Sequence, residues 1–285
     1  MGSKKKIELT WQIEGHCFDF QKGALVMGIL NVTPDSFSDG GQWAQKEAAI
    51  MQAEQLIAEG ADLIDVGGES TRPGSEAVAV EDELLRVIPV IRELVERTSV
   101  PISIDTCKAK VARQALEAGA AVVNDISGLR DPEMIEVCAE SGCGVVVMHM
   151  KGVPKSMQES PTYEDVVAEV QGFFRERLQT LTEAGISADR LCWDPGIGFG
   201  KRLEDNVALL KAVGQLDVGG RPVMIGLSRK SFLAKLLEES EMDARDWPTV
   251  ALTAWSREQG GLVHRVHEVR PNREAIRMVE KIGQA

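Results

Sequence analysis

Eight short apolar runs recur along this chain, and each stops at a residue that can ionise or hydrogen-bond. They are Leu25–Leu30, Leu63–Val66, Ile102–Ile104, Ala121–Val123, Gly144–Met148, Leu191–Trp193, Val223–Ile225 and Leu262–Val266. Runs this short and this continuously apolar fit strands buried on both faces, as in a parallel sheet. Between them lie stretches of helical periodicity: Glu47–Glu59, Val80–Arg97, Ala109–Ala118, Tyr163–Ala184, Asp205–Val213, Arg229–Glu239, Pro248–Gln259 and Arg273–Ile282. The alternation predicts an α/β chain, a (β/α)8 TIM barrel, with an open doubly wound sheet as the competing arrangement. Ile7–Ile13 and Cys17–Phe20, around Glu14-Gly15, read as an N-terminal β-hairpin able to plug the bottom of the barrel. No linker, repeat or low-complexity tract divides the 285 residues, so one domain is expected over 1–285, with 1–22 as its preamble.

In such a barrel, chemistry gathers at the C-terminal ends of the strands. Those ends carry Asn31, Asp65 with the loop Gly67–Gly74, Asp105-Thr-Cys-Lys108, Asn124-Asp125, His149, Asp194, Ser228-Arg229-Lys230, and Arg265 with His267. A single Asp or Asn in such a place reads equally well as the cap of the following helix. Asp65, Asp125 and Glu69 are assigned to capping and scaffold on that ground. The remainder has two chemical flavours. Asp105, Asn124 and Asp194 can bind the N–H donors of a planar, guanidine-like heterocycle, and Lys230 can reach an acceptor on the same ring. Arg72, Ser228, Arg229, Arg265 and His267 gather positive charge and donors suited to a phosphate or pyrophosphate.

Two tempting signals are set aside. Asp194-Pro-Gly-Ile-Gly-Phe-Gly-Lys201 lacks the spacing of a dinucleotide or Walker loop and reads as a tight turn that lets backbone approach a flat ligand. The histidines and cysteines lack zinc-ligand spacing. His16 reads as a hairpin or surface residue, and His149 as structural or pocket-lining.

A formal net charge of −12 argues against nucleic acid and anionic membranes as partners. No stretch has the length of a membrane span, and no apolar signal-peptide core is seen at the N-terminus. Five cysteines without a Cys-x-x-Cys pair read as buried thiols of a reducing, cytoplasmic setting.

These motifs, in this order, resemble the dihydropteroate synthase family of pterin-binding barrels. The residues carrying the likeness are Asn31–Gly41, Asp65–Gly74, Ile104–Thr106, Asn124–Ile126, Met148–Met150 with Pro154–Gln158, Asp194–Lys201, Ser228–Phe232 and Arg265–His267. The resemblance implies condensation of a 7,8-dihydropterin pyrophosphate with p-aminobenzoate, inhibition by sulfonamides, and a cytoplasmic homodimer. It implies that Asp105, Asn124, Asp194 and Lys230 hold the pterin, with Ile126, Met148, Phe199 and Gly226 around it. Asn31, Arg72, Arg265 and His267 would hold the pyrophosphate, with Mg2+ near Asn31. Thr71, Pro73, Ser228, Arg229 and Phe37 would surround p-aminobenzoate. Lys230, Arg265, Asp105 and Arg72 are the expected catalytic set.

Three departures stand out. Lys151 replaces the usual Gln, Glu268 replaces the usual Asp, and Asp246–Trp255 lacks the family's small-residue pattern, which bears on the dimer interface. Two other readings remain: a methyltetrahydrofolate:corrinoid methyltransferase-like pterin enzyme, and a noncatalytic pterin-binding protein.

Overall fold

A computed structural model of the chain describes residues 9–32, 41–70, 77–152, 157–158, 161–238 and 245–284. Ten strands are found among them. A hairpin, β1 (Thr10–Ile13) and β2 (His16–Asp19), precedes β3 (Leu25–Asn31), β4 (Leu63–Gly67), β5 (Ile102–Asp105), β6 (Val122–Asp125), β7 (Gly144–Met148), β8 (Leu191–Asp194), β9 (Met224–Gly226) and β10 (Val263–Val266). The last eight are parallel and lie side by side in chain order, with β10 joining β3 to β9. A single parallel bridge, Trp193 to Val223, closes β8 onto β9, and the Trp193 N–H donates to the Pro222 carbonyl at 2.9 Å. The sheet is therefore a barrel, and the open doubly wound alternative fails.

The helices are α1 (Gly41–Ala58), α2 (Val80–Arg97), α3 (Ala109–Glu117), α4 (Pro132–Glu140), α5 (Val166–Glu183), α6 (Leu203–Lys211), α7 (Ser231–Leu237), α8 (Asp246–Glu258) and α9 (Val269–Gly283). Sequence periodicity anticipated all but α4. That helix spans 9 residues, and its start is well marked. Asp131 accepts the Glu133 N–H at 3.0 Å, and Pro132 occupies the first turn, where its missing N–H is not needed.

Side-chain alternation along each strand decides what faces the axis. Val26, Leu30, Ile64, Val66, Ile102, Ile104, Val123, Val145, Val147 and Ile225 point outward into the shell of helices. Leu25, Met27, Leu63, Val122, Val146, Cys192, Met224 and Val263 point inward, and Trp11, Ile13 and Phe20 of the N-terminal segment close over them. Burying each such large side chain stabilises by roughly 1.5–3 kcal/mol, enough for the hairpin to act as a plug. The fit is close. A Cβ on Gly144 would meet Ile13 Cγ2 at 2.2 Å, and the Trp11 indole N–H donates to the Arg190 carbonyl at 2.8 Å.

The expectation of uniformly buried thiols is corrected. Cys138, Cys143 and Cys192 are buried, whereas Cys17 and Cys107 are exposed. Cys17 lies on the outer strand of the hairpin, and Cys107 in the turn after β5.

Candidate active site

The same alternation sorts the polar strand ends. Asp65, Asn124, Asp194 and Arg265 each lie two residues beyond an inward-facing apolar residue, so they project into the barrel above the plug. Asp125 has the opposite parity. It accepts the Ser127 N–H and hydroxyl at 2.7 Å each, and the Leu129 N–H at 2.9 Å. Its assignment to local scaffold holds. Among the described residues Asp65 caps no helix, since Ala79 precedes α2, which corrects one half of its assignment. It is fully buried on the barrel axis, where its carboxylate meets side chains from other strands.

The Arg265 guanidinium forks between two carboxylates. Its Nε donates to Asp65 Oδ2 at 2.6 Å, and its Nη2 donates to Asp105 Oδ2 at 2.6 Å. Asn124 Nδ2 donates to the same Asp65 oxygen at 3.0 Å. The two chemical flavours read from the sequence are thus not spatially separate, because Arg265, expected to hold an anion, and Asp105 and Asn124, expected to hold a ring, form one network. Burial pushes the Asp105 carboxyl well above its ordinary range, and Arg265 pulls it partly back. Burial opposes the charge on Arg265, but Asp65 and Asp105 more than offset this and raise its pKa.

Across the mouth, Asp194 and Lys230 form the second half. Asp194 Oδ1 accepts the Gly196 N–H at 2.7 Å, and burial raises its pKa against the pull of Lys230. The Lys230 ammonium donates to the Ile197 carbonyl at 2.5 Å and sits 4.5 Å from the centre of the Phe199 ring. Burial lowers its pKa to about 8, opposed by Asp194. Ile126, Met148, Met150 and Met157 make an apolar wall against Phe199. Gly226 lies beside Arg265 in the sheet, and a Cβ there would approach Lys230 Nζ at 3.8 Å.

The glycine-rich turn after Asp194 packs closely against the protein's own chain at two of its glycines. Gly196 has φ +66°, and a Cβ on it would lie 2.0 Å from the His149 carbonyl oxygen. A Cβ on Gly200 would lie 2.4 Å from that of Lys151. Lys201, also buried, holds the turn in place. Its ammonium reaches His149 Nδ1 at 3.1 Å and the carbonyls of His149, Gly196 and Phe199 at 3.0–3.2 Å. Burial lowers its pKa to about 7. Burial and the neighbouring Lys201 also favour the neutral form of the His149 imidazole, which lies edge-on to Phe173.

On the remaining side, Ser228 Oγ accepts the His267 N–H at 3.1 Å and lies 2.7 Å from His267 Nδ1. If Ser228 donates to Nδ1, a neutral ring carries its hydrogen on Nε2. Arg229, like Arg265, is paired with carboxylates. Its guanidinium binds Asp246 at 2.6 and 2.9 Å and Glu268 at 2.8 Å. Its backbone is left-handed, with φ 58°, an uncommon state for a residue with a side chain. Glu268 therefore pairs with Arg229 and not with Arg265. Phe37, Thr71, Arg72 and Pro73 lie outside the described residues, as does most of the two loops that carry them. Glu69 is described: it pairs with Lys108 at 2.5 Å and accepts the Val78 N–H at 3.2 Å, as a scaffold residue should.

Among the described residues, no three His, Cys, Asp or Glu side chains cluster as a metal site. Asn31 ends β3 beside Gly67, where a Cβ on that glycine would lie 3.9 Å from Asn31 Oδ1 and 3.8 Å from Asp105 Oδ2. A single amide oxygen suits Mg2+, which keeps several waters and takes its other ligands from a substrate's phosphates.

The sequence matches the family of pterin binding enzymes over residues 27–267. It is 46% identical to the dihydropteroate synthase of Escherichia coli K12 over 255 residues, covering 90% of each chain. The chain belongs to the dihydropteroate synthase family. Its fold agrees with the family's solved structures. The Yersinia pestis dihydropteroate synthase, in complex with a sulfonamide drug, superposes with a TM-score of 0.91 at 41% identity, covering 97% of this chain and 100% of that one. The Xanthomonas albilineans dihydropteroate synthase with 4-aminobenzoic acid gives 0.91 at 43% identity, covering 98% and 99%. Within this dihydropteroate synthase barrel, two groups beside the candidate site differ from their sequence reading: Asp65, assigned to capping and scaffold, bonds to Arg265 and Asn124, and Lys201, which has no role of its own in that reading, bonds to the Gly196 carbonyl. Asp65 could have been found from its parity with Leu63, whereas nothing local marks Lys201 as buried.

Proposed function

We propose that the chain condenses a 7,8-dihydropterin-6-ylmethyl pyrophosphate with p-aminobenzoate, giving 7,8-dihydropteroate and pyrophosphate. The observation that carries this reading is the convergence of Asp105, Asn124, Asp194 and Lys230 on one barrel mouth beside Arg265. Three acceptors and one cation suit the donors and the acceptor edge of a pterin ring. The wall of Ile126, Met148 and Phe199 suits its flat faces.

The amine nitrogen attacks the pterin methylene carbon, the carbon–oxygen bond breaks, and pyrophosphate leaves and accepts the amine proton. The protein binds, orients and neutralises charge, and needs no covalent nucleophile. Asp105 and Asp194 favour the electron-poor ring that develops as the bond breaks. Arg265, with His267 oriented by Ser228, stabilises the negative charge gathering on the leaving group, and Arg72 is assigned to the same task. Thr71, Pro73, Phe37, Ser228 and Arg229 are assigned to p-aminobenzoate and its sulfonamide mimics. Mg2+ at Asn31 would neutralise pyrophosphate charge when bound.

The chain is also read as one domain and as a cytoplasmic homodimer. Among the described residues no helix is long and apolar enough to cross a membrane. Trp247, Leu236, Leu237 and Trp255, on α7 and α8, expose apolar surface of the kind a second copy covers. Sedimentation of the wild type and of Trp247→Glu tests the dimer.

Steady-state release of pyrophosphate from the two substrates tests the reaction. Turnover that requires both supports it. Pterin binding without turnover would return the noncatalytic reading.

A further inference from the structure

One carboxylate oxygen beneath the site does two jobs. Asp65 Oδ2 accepts from Arg265 Nε at 2.6 Å and from Asn124 Nδ2 at 3.0 Å, and the residue is fully buried. Arg265 is read as a ligand of the anionic end of the substrate, and Asn124 as a ligand of its ring. Their partners differ in what else they must do. Asp105 also contacts Arg265, but it is itself assigned to the ring and must share its oxygens with the ring's donors. Asp65 lies beneath both groups with no exposed surface, so its bonds need not be exchanged when a ligand arrives.

We propose that Asp65 is a positioning residue that holds Arg265 and Asn124 in register with each other, and so fixes the spacing between the anion end and the ring end of the bound pterin substrate. This rests on the proposed reading of the site. A residue acting in this way touches no substrate. It sets where two ligand groups stand, and misplacement of such groups by about an ångström is enough to cost on the order of a hundredfold. Fixing the rotamers of ligand groups from beneath is how a preformed site keeps its geometry.

The test is calorimetric binding of two separate probes, 6-hydroxymethylpterin and magnesium pyrophosphate, followed into the millimolar range. Asp65→Asn removes the charge, and Asp65→Glu keeps the charge but moves the oxygens by one methylene. Either variant, provided it folds, should weaken both probes by roughly ten- to a hundredfold, the range carried by charge-assisted bonds. Each loss should then vanish when its intermediary is absent. Pyrophosphate binding to Arg265→Met should not weaken further on adding Asp65→Asn, and pterin binding to Asn124→Ser should not either. Losses that persist in those backgrounds overturn the proposal, as does unchanged affinity in the single variants. If neither Asp65 variant folds, Asp65 is a folding residue and the proposal falls. A wild type that binds neither probe defeats the reading of the site itself, a result distinct from the others.

Discussion

The Arg265 guanidinium stands 2.6 Å from a carboxylate oxygen of Asp105, on strands separated by 160 positions in the chain. This bond joins the two ends of the candidate site before any ligand is present. It also changes what removing Arg265 should do. Loss of the arginine leaves Asp65 and Asp105 as buried carboxylates without a cation, a defect that costs about 3–5 kcal/mol. If Arg265 binds pyrophosphate as proposed, its removal should therefore cost both binding and the steadiness of the barrel.

Arg265→Ala should lower stability by up to that amount at alkaline pH, and should lower turnover. The sign of its pH dependence follows from Asp105. Its folded-state pKa is already above the unfolded value and rises further without Arg265. The penalty is then full above the folded pKa and fades as the pH falls toward the unfolded value. Urea denaturation at pH 8 and pH 5 should show the larger loss at pH 8. Equal losses would mean that the carboxylates are not its source.

Asp194→Asn should weaken binding of a pterin analogue by about 1.5–3 kcal/mol. The amide substitutes a donor for one acceptor and removes the charge that strengthens the remaining bond. The Gly196 N–H would keep an acceptor, so the melting temperature should move little by comparison. Calorimetric titration beside a thermal melt separates the two effects, and unchanged affinity would remove Asp194 from the site.

Lys230 should make pterin affinity fall as the pH rises. Burial holds its pKa at about 8, with Asp194, Arg265 and Asp105 facing it and Lys201 close by. Its ammonium is therefore charged at pH 7 and loses its proton between pH 7 and 9. Titration of an analogue that does not itself ionise in that window should show the decline, and Lys230→Met should flatten it. A decline that survives in Lys230→Met would belong to another group.

Gly196→Ala should destabilise by about 2–5 kcal/mol, combining a left-handed backbone with a clash against the His149 carbonyl. Gly172, exposed within α5 with nothing near its Cβ position, is the control. Gly172→Ala should stabilise by about 0.5–1 kcal/mol. Guanidinium denaturation of the pair checks both signs.

The alternation of eight apolar runs with helical stretches favoured a barrel over an open doubly wound sheet and marked the strand ends that bear the polar residues, and the turn at Glu14-Gly15 marked the hairpin. These follow from periods of 2 and 3.6 residues, which are written locally in the chain. The choice of Asp105, Asn124, Asp194, Lys230 and Arg265 was legible for the same reason, because strand ends converge wherever the barrel closes. Partnership was not legible. Arg265 meets Asp65 across 200 positions, Arg229 turns to Asp246 and Glu268, and Lys201 is buried against His149 across 52. A charge's partner depends on which side chains closure brings within a few ångströms, and on how much water is excluded there. Strand order, parity and burial set both together, and only the folded barrel has all three.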